Sequence, residues 1–433
     1  MPNPIILRAP LYHTPRSPFA VDRALEVHSD GALLIADGSI GASGDFTEVR
    51  AANPGVEVRD LRGGYLLPGF VDTHVHFPQL RVLGSLGLSL LDWLERYALP
   101  EEVRMAGIEY ASKSAGEFVR ALVSHGTTTA LAFGAHFHDA TSAMFEAAAS
   151  RGVRLIGGMV LSDRMLRAPL HQSPEEAYRV SKALIERYHG KNGLAYAVTP
   201  RFAVSASEAI LEVCQTLLAE HRGMHFQTHL NENDREIQEV QRLFPWATDY
   251  LNVYEKFELV NERSVFAHNV HPAPRELECL GRNRVAVAHC PCSNAALGSG
   301  FFPMRQHVDA GVRFGLGTDV GAGTGFGILK EGLQAYLLQR LAIDGHPLTA
   351  PHLLYLATRA GAEALNLSDE IGDFSRGKSA DYVWIKPPEG SVLETVAASA
   401  ESPERVLSAI FTLAGAESIR EVGVRGRVVW EAP

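Results

Sequence analysis

Short runs of almost continuously apolar residues recur along the chain, and each is followed by a longer stretch whose apolar residues fall three and four positions apart. That alternation is expected of repeated strand-and-helix units. Eight runs stand out: YLLPGFVDTH around Gly69 to His74, TTTALAF from Thr127, VRLIGGMVL from Val153, LAYAVTP from Leu194, MHFQTH from Met224, SVFAH from Ser264, VAVAH from Val285 and VRFGLGTD from Val312. A strand with one wet face alternates apolar and polar residues, whereas a strand covered on both faces does not. Eight runs of the second kind predict an α/β protein in which residues 68–371 form a (β/α)8 TIM barrel. Residues 101–126 and 207–223 carry helical spacing between runs, and they end at Gly126 and Gly223, residues suited to stopping a helix.

The flanks read differently. Before the barrel, ALLIADGSIGASG sets two short strand candidates on either side of Asp37-Gly38, a strong hairpin signal. After it, SADYVWIKP and EVGVRGRVVWE again read as short strands with glycine turns. Residues 1–67 and 372–433 are therefore expected to build one small composite β domain beside the barrel.

Composition narrows the function. With 46% hydrophobic and 21% charged residues and no run long enough for a membrane span, the chain reads as a soluble enzyme. A formal net charge of -10 without clustered Lys and Arg disfavours nucleic acid, leaving a small molecule as the expected partner. The opening MPNPIILRAPLYHTPRSPF has no basic stretch leading into an apolar core, so a cytoplasmic location is expected. Cys214, Cys279, Cys290 and Cys292 do not make a disulfide framework, and the one close pair has the wrong spacing for a zinc knuckle; buried thiols are expected.

Barrel enzymes place catalytic groups at the C-terminal ends of their strands, and ionisable residues collect there in this chain. His74 and His76 end the first run, and the period of two along a strand sends both imidazoles to the same side. His229 ends the fifth run, His268 the sixth and Asp319 the eighth. A lone strand-end His or Asp is usually structural; the joint placement suits a divalent cation that activates water. Three His ligands plus Asp319 exceed the three protein ligands usual for catalytic zinc, so a five-coordinate site or a long Asp contact is expected. Glu232, three residues beyond His229, is placed to act as general acid and base. LAYAVTPRF contains no Lys, which argues for one metal over a carbamate-bridged pair.

The motif set PGFVDTHVHF, THLNE, AHNVH, AHCPCSN and GLGTDVGAG resembles the amidohydrolase superfamily along nearly the whole chain. FVDTHVHFPQ, LLDWLERYALPEE, TPRFAVSAS, HLNENDREIQEV and HCPCSNAALGSGFFPMR, in that order and spacing, look most like its guanine deaminases. The resemblance implies His74, His76, His229 and Asp319 as ligands of one zinc or iron ion, Glu232 as proton shuttle, and His268 turned toward the activated water. It implies Gln79, Arg201 and Phe202 as purine contacts and a homodimer as the usual assembly. Gln79 both donates and accepts, Arg201 offers a planar fork of donors, and Phe202 or Trp93 supplies an apolar wall, although Trp93 reads more readily as core. Cys292 stands where the family commonly has Thr. His136 and His138 are expected at the rim, and His221, His225 and His271 in structural roles. A deaminase of a related heterocycle (an oxidised guanine, a pterin or a triazine) is the alternative on the same site. A non-catalytic barrel serving in assembly is disfavoured by the intact ligand set.

Overall fold

In the computed structural model, which describes residues 3–433, the eight apolar runs become eight parallel strands, each bonded to the next. They are β1 (Phe70–His76), β2 (Thr127–Phe133), β3 (Arg154–Gly158), β4 (Leu194–Pro200), β5 (His225–Leu230), β6 (Ser264–His268), β7 (Ala286–His289) and β8 (Arg313–Leu316). The gap between β8 and β1 is closed by Thr73 Oγ1 donating to the Leu316 carbonyl at 2.9 Å. Just past the strand ends, Asp319 N donates to the His74 carbonyl (2.9 Å) and His76 N to the Val320 carbonyl (3.0 Å). This approach needs Gly317, where a Cβ would meet the His74 Cβ at 2.8 Å and the Cys290 Sγ at 3.0 Å.

Burial explains the unbroken apolar runs. Val71, Leu131, Ile156, Ala197, Val265 and Ala286 pack inside the barrel, while a larger apolar cluster fills the layer between strands and outer helices. The expected helix over 101–126 is two helices, Leu99–Arg104 and Ile108–Ser124, because Gly107 takes an extended conformation (φ -82°, ψ 110°) and caps the second. The one expected over 207–223 is Glu208–Glu220, with Ser207 accepting from Ile210 N. Among the described residues, no helix is long and apolar enough to cross a membrane.

Outside the barrel there are two sheets. Ser39–Asp45, Gly31–Ala36, Ile5–Arg8 and Glu57–Asp60 form a four-stranded sheet from the N-terminal flank alone, with the hairpin turning at Asp37 (φ 51°) and Gly38 (φ 78°). The second sheet has six strands and mixes both ends: Arg427–Glu431, Ile419–Val424 and Tyr382–Ile385 continue through Tyr65–Pro68 to Leu11–His13 and Glu26–His28. The C-terminal flank is also more helical than its strand signals suggest, since Val392–Ala398 and Pro403–Leu413 intervene, and the latter packs on the barrel helices Ile328–Leu341 and Ala350–Ala357. Of the flank expected over 1–67, the first two residues lie outside the described residues.

Between β1 and Ile108–Ser124 the chain makes a long excursion through Phe77–Val82, Leu90–Trp93, Leu94–Ala98 and Leu99–Arg104. It carries Gln79 and Glu102 to the C-terminal mouth of the barrel.

Candidate metal and substrate site

Period two on β1 brings His74 and His76 to one side, as the pattern predicts, with their Nε2 atoms 3.1 Å apart. Asp319, just after β8, sets Oδ1 3.2 Å from each of them. His229, at the end of β5, completes a buried group whose ligand atoms all lie within 4.8 Å of one another. The His229 Nδ1 lies 2.6 Å from the Arg201 carbonyl, which can only accept; Nδ1 therefore carries the proton and Nε2 presents a lone pair.

Charge state supports the same reading. Burial is the largest cause holding His74 and His229 below the usual imidazole range and His76 down at about 4, so all three are neutral near pH 7. Burial alone would raise Asp319, but bonds to His74 and His76 outweigh it and hold the carboxyl well below its usual range. Three neutral imidazoles and one carboxylate, with the His74 and His76 Nε2 atoms 3.1 Å apart and Asp319 Oδ1 3.2 Å from both, make a nitrogen-and-oxygen donor set of the kind that holds a divalent cation. The His268 Nε2 is buried without a hydrogen-bond partner, 3.5 Å from Glu232 Oε2 and 3.9 Å from Asp319 Oδ2. These donors fit a divalent ion with one further group facing it.

Around this centre the strand ends are turned sharply. His268 (φ 72°), Asn269 (φ 45°), Asn231 (φ 49°) and Asp319 (φ 46°) are left-handed although none is glycine. Such backbone costs on the order of 1 kcal/mol or more per residue and gathers where function fixes it. His268 is held from behind by Asn294 Oδ1, 3.0 Å from its Nδ1, and Asp319 Oδ2 accepts from Ser293 Oγ at 2.5 Å. Glu232 is pushed well above the carboxylate range, first by burial and then by Asp319, while Ser299 Oγ donates to it at 3.4 Å.

Beside the ionisable centre lies a second corner. Arg201 Nη1 donates to both oxygens of Glu102, at 2.7 and 2.8 Å, and the Gln79 amide donates to Glu102 Oε1 at 2.7 Å. Phe202 packs edge-on to His229, with centroids 6.3 Å apart. His136 is buried here too, its Nδ1 3.4 Å from Glu102 Oε2, so it is not a rim residue; His138 is, being half-buried and paired with the exposed Asp139. Trp93 ends its helix inside the main apolar cluster. His225 Nε2 meets the Leu365 carbonyl and His271 Nε2 the Ser299 carbonyl, in the supporting positions expected of them. All four cysteines are free and buried.

Residues 65–429 match the amidohydrolase family. The chain belongs to that family. The matched span runs from the Tyr65–Pro68 strand into Arg427–Glu431, so it takes in the barrel and most of the composite sheet and leaves out the four-stranded one. This amidohydrolase is 58% identical to a probable guanine deaminase of Deinococcus radiodurans, over 98% of both chains. Its fold is similar to that of E. coli guanine deaminase, with a TM-score of 0.96 at 38% identity over 99% of this chain and 100% of the other. It is also similar to a guanine deaminase from C. acetobutylicum solved with bound guanine in the active site, with a TM-score of 0.90 at 26% identity over 99% and 100%.

Phe133, whose ring lies 4.6 to 5.1 Å from those of His74, His76 and His229, was not legible as part of the amidohydrolase site because it reads as one more strand residue. Ser293 and Asn294 were visible in HCPCSN, but polar residues after a strand also read as helix caps. Glu102 gave no local signal.

Proposed function

We propose that this chain hydrolyses guanine to xanthine and ammonia, using one zinc ion held by His74, His76, His229 and Asp319. The observation that carries the reading is the full-length likeness to guanine deaminases, 58% identical in the Deinococcus radiodurans relative. When bound, the ion supplies Lewis-acid activation, which lets water attack carbon at neutral pH. Arg201 and Gln79 hold the ring edge that carries the carbonyl, and Phe202 closes an apolar side, so the amino-bearing carbon faces the ionisable centre. Glu232, whose carboxyl is pushed well above its usual range by burial and then by Asp319, gives a proton to the ring nitrogen beside that carbon. His268 and Asp319 orient the attacking water and take up its proton, and transfer of a proton to the amine releases ammonia.

The free, buried thiols suit a reducing cytoplasm. Exposed Phe301, Leu341 and Ile343 around one surface groove support a homodimer.

The test is loss of guanine absorbance with ammonia release by zinc-loaded enzyme, beside a panel of pterins, oxidised purines and aminotriazines. Guanine turnover that disappears on chelation and returns with zinc is the expected result. A guanine-inert enzyme that turns over another panel member overturns the substrate.

A further inference from the structure

Glu102 is 2% exposed and lies on no barrel strand, yet three separate barrel loops converge on its carboxylate. Arg201 comes from the turn after β4, Gln79 from the 3-10 turn after β1 and His136 from the turn after β2. Both ends of the Gln79 amide are fixed, since its Oε1 also accepts from Gly321 N at 3.1 Å, two residues beyond Asp319. That pair of bonds leaves the amide only one orientation and one spare N–H. The remaining N–H groups of Arg201 make no hydrogen bond among the described residues.

We infer that Glu102 is a positioning residue for substrate selection: it aims the spare donors of Arg201 and Gln79 at the ring carbonyl and cancels the buried guanidinium charge. This inference rests on the guanine reading. An unpaired buried arginine is costly, so without Glu102 the guanidinium turns toward water and the corner loses its aim. An amide in place of Glu102 cannot serve either, because it accepts through one oxygen only and sets its own NH2 against donors. Burial by itself raises Glu102, but Arg201, His136 and Gln79 outweigh it, keeping the carboxyl ionised and accepting. The Arg201 carbonyl meanwhile holds the His229 ring, so the recognition corner and the metal centre share one residue.

The discriminating ligands differ in a single oxygen. Guanine and 2-aminopurine carry the same reacting amine, but only guanine has the 6-oxo group; xanthine and 2-hydroxypurine form the matching pair that cannot be deaminated. In Glu102→Gln, with zinc content and Tm measured alongside, kcat/KM for guanine should fall by at least about tenfold through KM, while the weaker turnover of 2-aminopurine changes little. Calorimetry should show the wild-type preference for xanthine over 2-hydroxypurine shrinking by the same factor, and Glu102→Asp, which keeps the charge, should restore part of it. Should Glu102→Gln fold poorly, the double variant E102Q/R201Q removes the unpaired charge and should lose the same preference.

An oxo preference that survives in the folded variants, or that wild type lacks, overturns the positioning role. Equal losses on both ligands of a pair do so as well. Absence of guanine turnover in wild type is a separate failure, that of the function reading, and the xanthine arm still reports on Glu102.

Discussion

Glu232 and Glu102 are both carboxyl groups buried at the barrel mouth, and their surroundings drive them apart. Burial and the nearby Asp319 raise Glu232, whereas Arg201, His136 and Gln79 overcome burial at Glu102 and hold it down. A carboxyl that holds its proton more tightly than usual suits the proton transfer proposed for Glu232, and one held ionised suits the positioning proposed for Glu102. Glu232→Gln keeps the shape but has no proton to give. It should lower kcat by roughly 10²- to 10⁴-fold while zinc content and Tm hold; near-wild-type turnover would remove Glu232 from proton transfer. The two residues also differ in how readable they are. His74, His76, His229, His268, Asp319 and Glu232 sit at or just past strand ends, where period two and barrel logic single them out. Glu102 sits with Glu101 in the first turn of a helix, where acidic residues are ordinarily explained by the helix dipole, and only the fold shows that this one is buried against an arginine.

At the scale of elements, the strands were legible because burial on both faces leaves no polar alternation, while helix boundaries depend on single residues. Gly107 splits one expected helix into two, and the C-terminal helices were passed over although Ser391 and Ser402 cap them by accepting from Glu394 N and Arg405 N. Those serines, each followed by an acidic residue within the first turn, were the available signal. The helix Ile328–Leu341 carries a further consequence. Its Glu331 is buried and accepts from Cys292 N at 3.0 Å, and burial raises its pKa from 4.5 to about 8. Because the folded value is the higher one, the folded state holds a proton that the unfolded chain has released across this window. The contribution is full below pH 4.5 and is lost as pH rises through about 8. Glu331→Gln keeps the acceptor and removes the titration, so its urea midpoint should fall less than that of wild type between pH 5 and 9. The gap should open to at most about 4 kcal/mol; parallel pH curves would show that Glu331 does not titrate there.

For the whole molecule, the barrel divides its labour between its two ends. The groups proposed to hold the metal and the substrate gather at the C-terminal ends of the strands, and the composite sheet is pinned near the opposite end by Asp381. Its Oδ2 accepts from Arg154 Nη1 at 2.6 Å, at the start of β3, and its Oδ1 accepts from Ser379 Oγ and Arg425 N at 2.6 and 2.8 Å. Its carbonyl takes Gly69 N at 3.0 Å, immediately before β1. Asp381 is 5% exposed and Arg154 6%, so neither charge has water to replace a lost partner. Short strands in both flanks were legible from their turn signals, but this joint was not, because Arg154 and Asp381 are 227 positions apart. Removing one partner of a buried ion pair leaves the other uncompensated, and Asp381→Ala should therefore cost about 3–5 kcal/mol. The site lies a strand's length away, roughly 13 Å for β3 at the usual rise. The folded fraction of Asp381→Ala should consequently keep the wild-type KM and zinc content while the urea midpoint drops sharply. A variant as stable as wild type would mean the sheet is held by its apolar packing alone, and a changed KM would mean the two ends of the barrel are mechanically coupled.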